Sequence, residues 1–442
     1  MLDLVEAVGS ADPDRPLLVS DAGTLTYAEV AARSRVVADG LARAGVERFG
    51  VAELSAVDTI VVLIAASAVG VEPCVYPRCD LANTELLAAE FGHHVVFGAT
   101  ATLADFDRGA GGELPPAPGD PVLILTSGTT GRPKGTRHQW SRLLAAAHPE
   151  RRASPRRWLL AYNLNQYAGI QVLLHVIGSQ DTLVLPESPQ PRHGVAAMRA
   201  YGVTHVSATP TFWRFALHLL DRPDEPLPAL EQITLGGEAV GEALLAGLRR
   251  LFPRAQISQV YASSEFGSSV SVTDGRAGLP LAVLDRPAEA PVQFRIVDGE
   301  LHARSAIGMR GYYAGEDRDD GWHPTGDLVE VDGDRIRFVG RTTEVINVGG
   351  VKVHPLPIEA AVATVPGVVA AAVFGHPNPV TGAVVAVDVV AAEGTDADAL
   401  KTAIREATGS LPPAQRPRRI RLVDNLDIAN SKVRRSGQEG TG

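Results

Sequence analysis

The rhythm of the apolar residues is what most narrows the folds open to this chain. Short β-type runs at 157–161, 182–185, 205–208, 232–235 and 256–261 alternate with helix-period stretches at 195–201, 212–220 and 241–251. Helices that follow strands cover the faces of a sheet, so the alternation predicts layered α/β structure with largely parallel strands. Upstream, 34–44 has helical period, 59–69 is a buried apolar element, 95–97 is a short strand, and 121–125 is a strand run led in by Pro118-Gly119-Asp120.

After about Ala290 the texture changes. Runs at 292–296, 300–303, 328–331 and 335–339 are separated by Asp-Gly turns and a polar loop at 315–321, which predicts a β-rich subdomain over about 290–341. Beyond it, strands near 368–374 and 384–390, a helix at 397–408 and a basic tail predict a small α+β unit. The expected division is a large core, 1–341, followed by a C-terminal unit, 342–442.

Composition sets limits on partners and surroundings. With 45% hydrophobic and 21% charged residues the chain is globular. Its 41 basic against 51 acidic residues, a net charge of −10, argue against a nucleic-acid surface, which needs a basic excess. The apolar stretch at 59–70 is too short for a membrane span, and the amino terminus carries two acids with no basic region before an apolar run. Cys74 and Cys79 are the only cysteines and have no companion pair at zinc-ligand spacing, so buried thiols in a reducing cytoplasm are expected.

The strongest local signal is Thr126-Ser127-Gly128-Thr129-Thr130-Gly131-Arg132-Pro133-Lys134-Gly135, directly after a strand run. Its glycines open backbone shapes closed to other residues, and its hydroxyls and lysine can donate to oxyanions, which suits a polyphosphate. It is not a Walker A loop, because two residues rather than four separate Gly128 from Gly131 and Lys134 is followed by Gly135.

Together with further motifs in order, this loop resembles the signature of the adenylate-forming superfamily: acyl- and aryl-CoA ligases, nonribosomal peptide synthetase adenylation domains and luciferases. The other motifs are Thr24-Leu25-Thr26-Tyr27-Ala28-Glu29-Val30, Gly236-Gly237-Glu238-Ala239, Tyr261-Ala262-Ser263-Ser264-Glu265, Gly299-Glu300-Leu301 and Pro324-Thr325-Gly326-Asp327. They continue with Gly340-Arg341, then Val348-Gly349-Gly350-Val351-Lys352-Val353-His354-Pro355, and end with Asn430-Ser431-Lys432-Val433-Arg434-Arg435. The similarity runs across nearly the whole chain.

The resemblance implies a layered core, a mobile C-terminal lid, and ATP with Mg2+ as cofactors. It implies that Thr126, Ser127, Gly128, Thr129, Thr130 and Lys134 hold the β- and γ-phosphates, and that Glu265 holds Mg2+ with Ser264 beside the α-phosphate. Tyr261 would stack on adenine, bordered on the other side by Gly236, Gly237 and Glu238, while Asp327 and Arg341 hold the ribose. Lys432 would bridge the substrate carboxylate and the α-phosphate. Gly349, Gly350 and Lys352 match the lid loop that lines the thiol approach in thioester-forming relatives.

Departures from the pattern inform the substrate. The usual hinge acid or lysine is Thr343 here, the glycine before the lid lysine is Ser431, and the part ahead of the phosphate loop is short for the family. The segment 162–169 has no aspartate to pair an α-ammonium, which weighs against an ordinary amino acid. Asn163, Asn165, Gln166, Tyr167 and Ser263 instead offer neutral groups for a small, partly polar pocket, or satisfy the loop's own backbone. The expected activity is ATP-dependent activation of a small aryl or short unsaturated or hydroxylated acid as acyl-AMP, then transfer to coenzyme A or to a carrier protein's phosphopantetheine. The alternatives are adenylation of a non-carboxylate such as nitrite, and a nucleotide-binding protein without catalysis. The adjacent His93 and His94 are expected to be surface or satisfied core residues.

Overall fold

The fold is described from a computed structural model, for residues 1–107, 114, 117–126, 133–151, 154–222, 224–429, 432–433 and 435, with the backbone alone at 429 and 432. It is the α/β architecture expected: a large N-terminal part of layered sheets, a β-rich subdomain, and a small α+β C-terminal domain.

Two sheets build the large part. One has eight strands in the order Gly267–Val272, Gln256–Ser263, Gln232–Gly236, His205–Ala208, Arg157–Leu160, Thr182–Val184, Pro16–Ser20 and Gly23–Thr26. Neighbours from Gln256–Ser263 through to Pro16–Ser20 run parallel, as their helical connections require. The second sheet orders Gly311–Tyr312, Lys134–Gln139, Pro121–Thr126, Glu72–Val75, Arg48–Val51 and Val96–Phe97. Helices Tyr27–Arg43, Ala56–Val69 and Tyr167–Ser179 join strands of both sheets in one apolar cluster. The middle helix is buried at every residue from Thr59 to Ala66, which explains why its sequence shows no polar stripe.

Local chemistry sets the boundaries of these elements. The first of the three helices begins at Tyr27 rather than in the 34–44 stretch that carries the clearest periodicity. Thr26 accepts from the Glu29 N–H while the Glu29 carboxylate accepts from the Thr26 N–H, a reciprocal capping box. The start of the helix is thus held by its cap as well as by the buried side chains of Tyr27 and Val30. Ser55 caps Ala56–Val69 from one side only, its hydroxyl accepting from the Asp58 N–H, and Gly70 closes it in a left-handed conformation.

The β-rich sheet orders Leu279–Pro280, Arg335–Arg341, His323–Asp332, Glu300–Ser305 and Val292–Val297, all antiparallel. A turn of 3-10 helix, Thr342–Glu344, leads from it into the C-terminal sheet. There Val351–Val353, Ile346–Val348, Gly382–Ala391 and Val368–Asn378 are joined by Arg419–Leu422, parallel to Gly382–Ala391. Helices Pro355–Val362 and Ala397–Ala407 cover one face of that sheet. The other face holds Ala370, Ala372 and Val390 against Leu426, Val433 and Phe215, the last from helix Pro210–Leu220 of the large part. Among the described residues, no helix is long and apolar enough to cross a membrane.

Candidate active site

Several of the expected site residues follow the carboxyl ends of parallel strands, where open α/β sheets hold ligands. Tyr162 to Gln166 follow Arg157–Leu160, Thr209 to Thr211 follow His205–Ala208, Gly237 and Glu238 follow Gln232–Gly236, and Ser264 and Glu265 follow Gln256–Ser263.

The phosphate-loop sequence turns out to join two antiparallel strands, with Thr126 directly opposite Lys134 and the Thr126 hydroxyl donating to the Lys134 carbonyl at 3.4 Å. Ser127, Gly128, Thr129 and Thr130 lie outside the described residues. The Lys134 ammonium stands 5.4 Å from the ring centre of Tyr312, within cation–π range. Burial first, and then the charge of the Glu265 carboxylate, raise the Tyr312 phenol above its ordinary value. Lys134 and Glu265 thus converge on one tyrosine that the sequence reading passed over, although its Gly308-Met309-Arg310-Gly311-Tyr312 setting was a signal. A β-carbon on Gly308 would lie 2.3 Å from the Glu265 carbonyl oxygen, so only glycine lets this segment close on Glu265. Arg318 adds a bond from Nη1 to that same carbonyl at 2.6 Å and lies over the Phe266 ring.

Tyr261, Asp327 and Arg341 form a second constellation. The Tyr261 hydroxyl donates to Asp327 Oδ2 at 2.7 Å, Arg341 Nε donates to Oδ1 at 2.8 Å, and the Asp327 N–H is fixed on Thr325 Oγ1. The Tyr261 ring stacks on Phe338, centroids 5.2 Å apart and planes 26° from parallel. Burial first, and then the Asp327 charge, push the Tyr261 phenol well up, and Asp327 raises the Arg341 guanidinium in turn. One ring face of Tyr261 is accordingly taken by Phe338, and adenine would need the other.

Glu238 occupies a third position. Its Oε2 accepts from the Thr211 N–H at 2.9 Å, in the first turn of helix Pro210–Leu220, where a carboxylate meets unpaired donors. Its Oε1 accepts from the Val433 N–H at 3.1 Å, across 195 residues of sequence. The strand Lys432–Val433, paired with Ile428–Ala429, is thereby brought from the C-terminal domain to the carboxyl-end edge of the large sheet. Beside it the Tyr162 hydroxyl donates to the Gly236 carbonyl at 3.3 Å.

The pocket segment is less polar than its composition suggests. Gln166 Oε1 accepts from the Asn163 N–H at 3.0 Å and the Gln166 N–H returns to the Asn163 carbonyl, so this amide serves its own loop. Asn165 is buried at the wall of a cavity of about 10 Å³ lined otherwise by apolar groups such as Leu63, Val75, Val122 and Ile170. Ser263 Oγ accepts from the Phe266 N–H, and Tyr167 is buried with its ring 5.8 Å from that of His138.

On the C-terminal domain, Gly349 and Gly350 both have positive φ, with the Gly349 N–H on the Thr381 carbonyl and the Gly350 N–H on Asn347 Oδ1. They and Lys352 are exposed. Among the described residues no cluster of three or more His, Cys, Asp or Glu could hold a metal by itself. Glu265 still fits Mg2+, which commonly takes one or two carboxylates and completes its shell with substrate phosphates and water. When bound, the ion would offset phosphate charge.

Known proteins share the sequence pattern and the fold. The 4-chlorobenzoate–CoA ligase of an Arthrobacter species is 26% identical over 470 residues, covering 91% of this chain and 87% of that one. The feruloyl-CoA synthase of an Amycolatopsis species is 29% identical over 457 residues, covering 92% and 91%. Among solved structures, the anthranilate CoA ligase in complex with anthranoyl-AMP shares the fold at a TM-score of 0.82 with 19% identity, covering 98% and 95%. The o-succinylbenzoate coenzyme A synthetase of Bacillus subtilis in complex with ATP and magnesium does so at 0.76 with 21%, covering 98% of each. The profile of the AMP-binding enzymes matches residues 84–313, and that of their C-terminal domain matches 357–432. Fold, order of motifs and profile agree that this chain belongs to the AMP-binding enzymes of the adenylate-forming superfamily.

Proposed function

We propose that this chain activates a small aryl acid with ATP and Mg2+ and passes the acyl group to a thiol, either coenzyme A or a carrier-protein phosphopantetheine. In the first half-reaction a carboxylate oxygen attacks the α-phosphorus, the bond to pyrophosphate breaks, and acyl-AMP forms. In the second, the thiol gives up its proton, its sulfur attacks the acyl carbon, and AMP leaves. Both reactants of the first step are anions, so the work of the protein is alignment and charge compensation.

The observation that carries this reading is the bond from the Val433 N–H to Glu238, which seats the strand of Lys432 at the edge that also holds Glu265 and Tyr261, the latter bonded to Asp327. We assign Lys432 to the carboxylate and α-phosphate, Lys134 with Thr126, Ser127, Gly128, Thr129 and Thr130 to the β- and γ-phosphates, and Glu265 with Ser264 to Mg2+ and the α-phosphate. Asp327 and Arg341 take the ribose, and Tyr261 with Gly236 and Gly237 the adenine. Glu238, whose two oxygens are engaged by backbone donors, serves the docking of the C-terminal domain. Residues 342–442 act as a lid that turns about 342–344 between the two half-reactions, exchanging the strand of Lys432 for the Gly349-Gly350 loop.

An aryl acid is favoured over a hydroxylated chain because Gln166 Oε1 and Ser263 Oγ each already accept a bond from local backbone. The relatives named for 4-chlorobenzoate and ferulate point the same way. The test is exchange of labelled pyrophosphate into ATP over a panel of acids, repeated for product with coenzyme A and with a carrier protein. Exchange with benzoate-type acids and thioester with one of the thiols is the expected result. No exchange with any acid, or exchange that requires nitrite, overturns it.

A further inference from the structure

Three residues beyond Lys432, Arg435 lies between two carboxylates. Its Nε and Nη2 donate to the two oxygens of Glu359 at 2.7 and 2.9 Å, a fork on one carboxylate. Its Nη1 reaches both oxygens of Glu344 at 3.1 and 3.2 Å. The three side chains are only 16%, 12% and 22% exposed, for Arg435, Glu359 and Glu344 in turn. Glu359 sits on helix Pro355–Val362, and its Oε1 also accepts from the Val373 N–H in the long strand Val368–Asn378, so it is fixed to the body of the C-terminal domain. Glu344 ends the 3-10 turn Thr342–Glu344 that joins the two parts of the protein.

The strand Lys432–Val433 therefore has three anchors. Val433 is buried against Ala370, Ala372, Val390 and Leu426; its N–H is held by Glu238 of the large part; and Arg435 ties the outgoing chain to the domain body and the interdomain turn at once. The paired strand is only two residues long and cannot fix its own orientation.

From this arrangement we propose that Arg435 is a positioning residue for adenylate formation: by clamping Glu359 and Glu344 it sets the pose in which the strand of Lys432 docks on Glu238. The proposal rests on the reading that Lys432 serves adenylation. It follows that Arg435 acts on the half-reaction in which this strand is docked and not on thiol transfer. A lysine cannot replace it, because a single ammonium lacks the fork that spans Glu359 while reaching Glu344.

The experiment uses the full chain and the variants Arg435→Lys, Glu344→Gln and Lys432→Ala. Pyrophosphate exchange and thiol transfer from supplied acyl-adenylate are measured with the same acid, and ATP KM is separated from kcat. Arg435→Lys is expected to lower the exchange kcat by about 10- to 100-fold, the range for a catalytic group misplaced by about an ångström, with the KM for ATP and the transfer rate within about twofold of the parent. Glu344→Gln, which keeps the Glu359 fork, is expected to show the same selective loss at smaller size. If Lys432→Ala loses exchange while Arg435→Lys keeps it, the positioning role is overturned and the reading of Lys432 stands. Equal losses in both half-reactions for Arg435→Lys make the clamp merely structural and also overturn it. If Lys432→Ala itself retains exchange, the assignment of Lys432 fails and the role of Arg435 fails with it.

Discussion

Tyr261 and Asp327 are joined side chain to side chain, hydroxyl to Oδ2 at 2.7 Å, although the first lies near the end of a strand of the eight-stranded sheet and the second in the β-rich subdomain. Arg341 on the neighbouring strand takes the other oxygen. The residues assigned to adenine and ribose are thus one unit, and a carboxylate keeps lone pairs for ribose hydroxyls after accepting these two bonds. Asp327→Ala is expected to weaken ATP binding by about 1 to 3 kcal/mol, since it removes an acceptor and leaves Tyr261 and Arg341 without their partner. Tyr261→Phe, which keeps the stacking on Phe338, is expected to cost about 1 kcal/mol. Calorimetric titration with ATP measures both, and an unchanged affinity in Asp327→Ala would reduce it to a structural brace.

Glu265→Gln keeps shape and removes charge. ATP turnover is expected to fall by orders of magnitude at ordinary Mg2+, because the hard ion prefers an anionic oxygen. Tyr312→Phe, which leaves the carboxylate and removes only the neighbouring hydroxyl, is expected to reduce turnover far less. Pyrophosphate release at graded Mg2+ ranks the two, and full activity in Glu265→Gln removes the metal assignment.

The lid loop offers a variant that spares adenylation. A β-carbon on Gly350 meets no heavy atom within 4 Å, so a leucine there would project into open space rather than into the domain core. Its φ of +88° makes the substitution strained, at about 1 to 2 kcal/mol, which a folded domain tolerates. Gly350→Leu is expected to keep pyrophosphate exchange and to slow thioester formation, the reverse of Lys432→Ala. Equal loss of both steps in both variants would show that the lid does not alternate.

Acid sensitivity is expected from two buried histidines. His138, by burial, and His93, by burial and then the charge of Arg48, are each held down to about 4. The unfolded chain takes up these protons near pH 6.5, so the unfolded state binds more protons between about pH 4 and 6.5 and stability falls as pH drops through that window. Above it the contribution is complete; across it each group removes up to about 3 kcal/mol. His138→Phe leaves the Thr136 hydroxyl on the Ile124 carbonyl and is expected to flatten the slope. Urea unfolding at pH 7.5, 6, 5 and 4.5 gives the comparison, and an equal slope in the variant would place the acid sensitivity elsewhere.

What the sequence determined by itself was local or ordered along the chain. Alternating apolar runs specified parallel layers, because each strand and helix carries its own periodicity. The motif Thr24 to Val30 contained a complete helix start, with both partners of the capping box three residues apart. The order of motifs was enough to identify the superfamily. The tertiary structure decided which polar atoms remain available for chemistry. Gln166 Oε1 and Ser263 Oγ, which the sequence offers to a pocket, each accept a bond from a neighbouring N–H once their turns form. Glu238 meets Val433 across 195 residues and Arg435 meets Glu344 across 91, and nothing local marks either pair. Such partners depend on how the C-terminal domain packs against helix Pro210–Leu220. A side chain's bonding capacity is written in its residue type, but its use is settled only when burial forces each donor to find an acceptor.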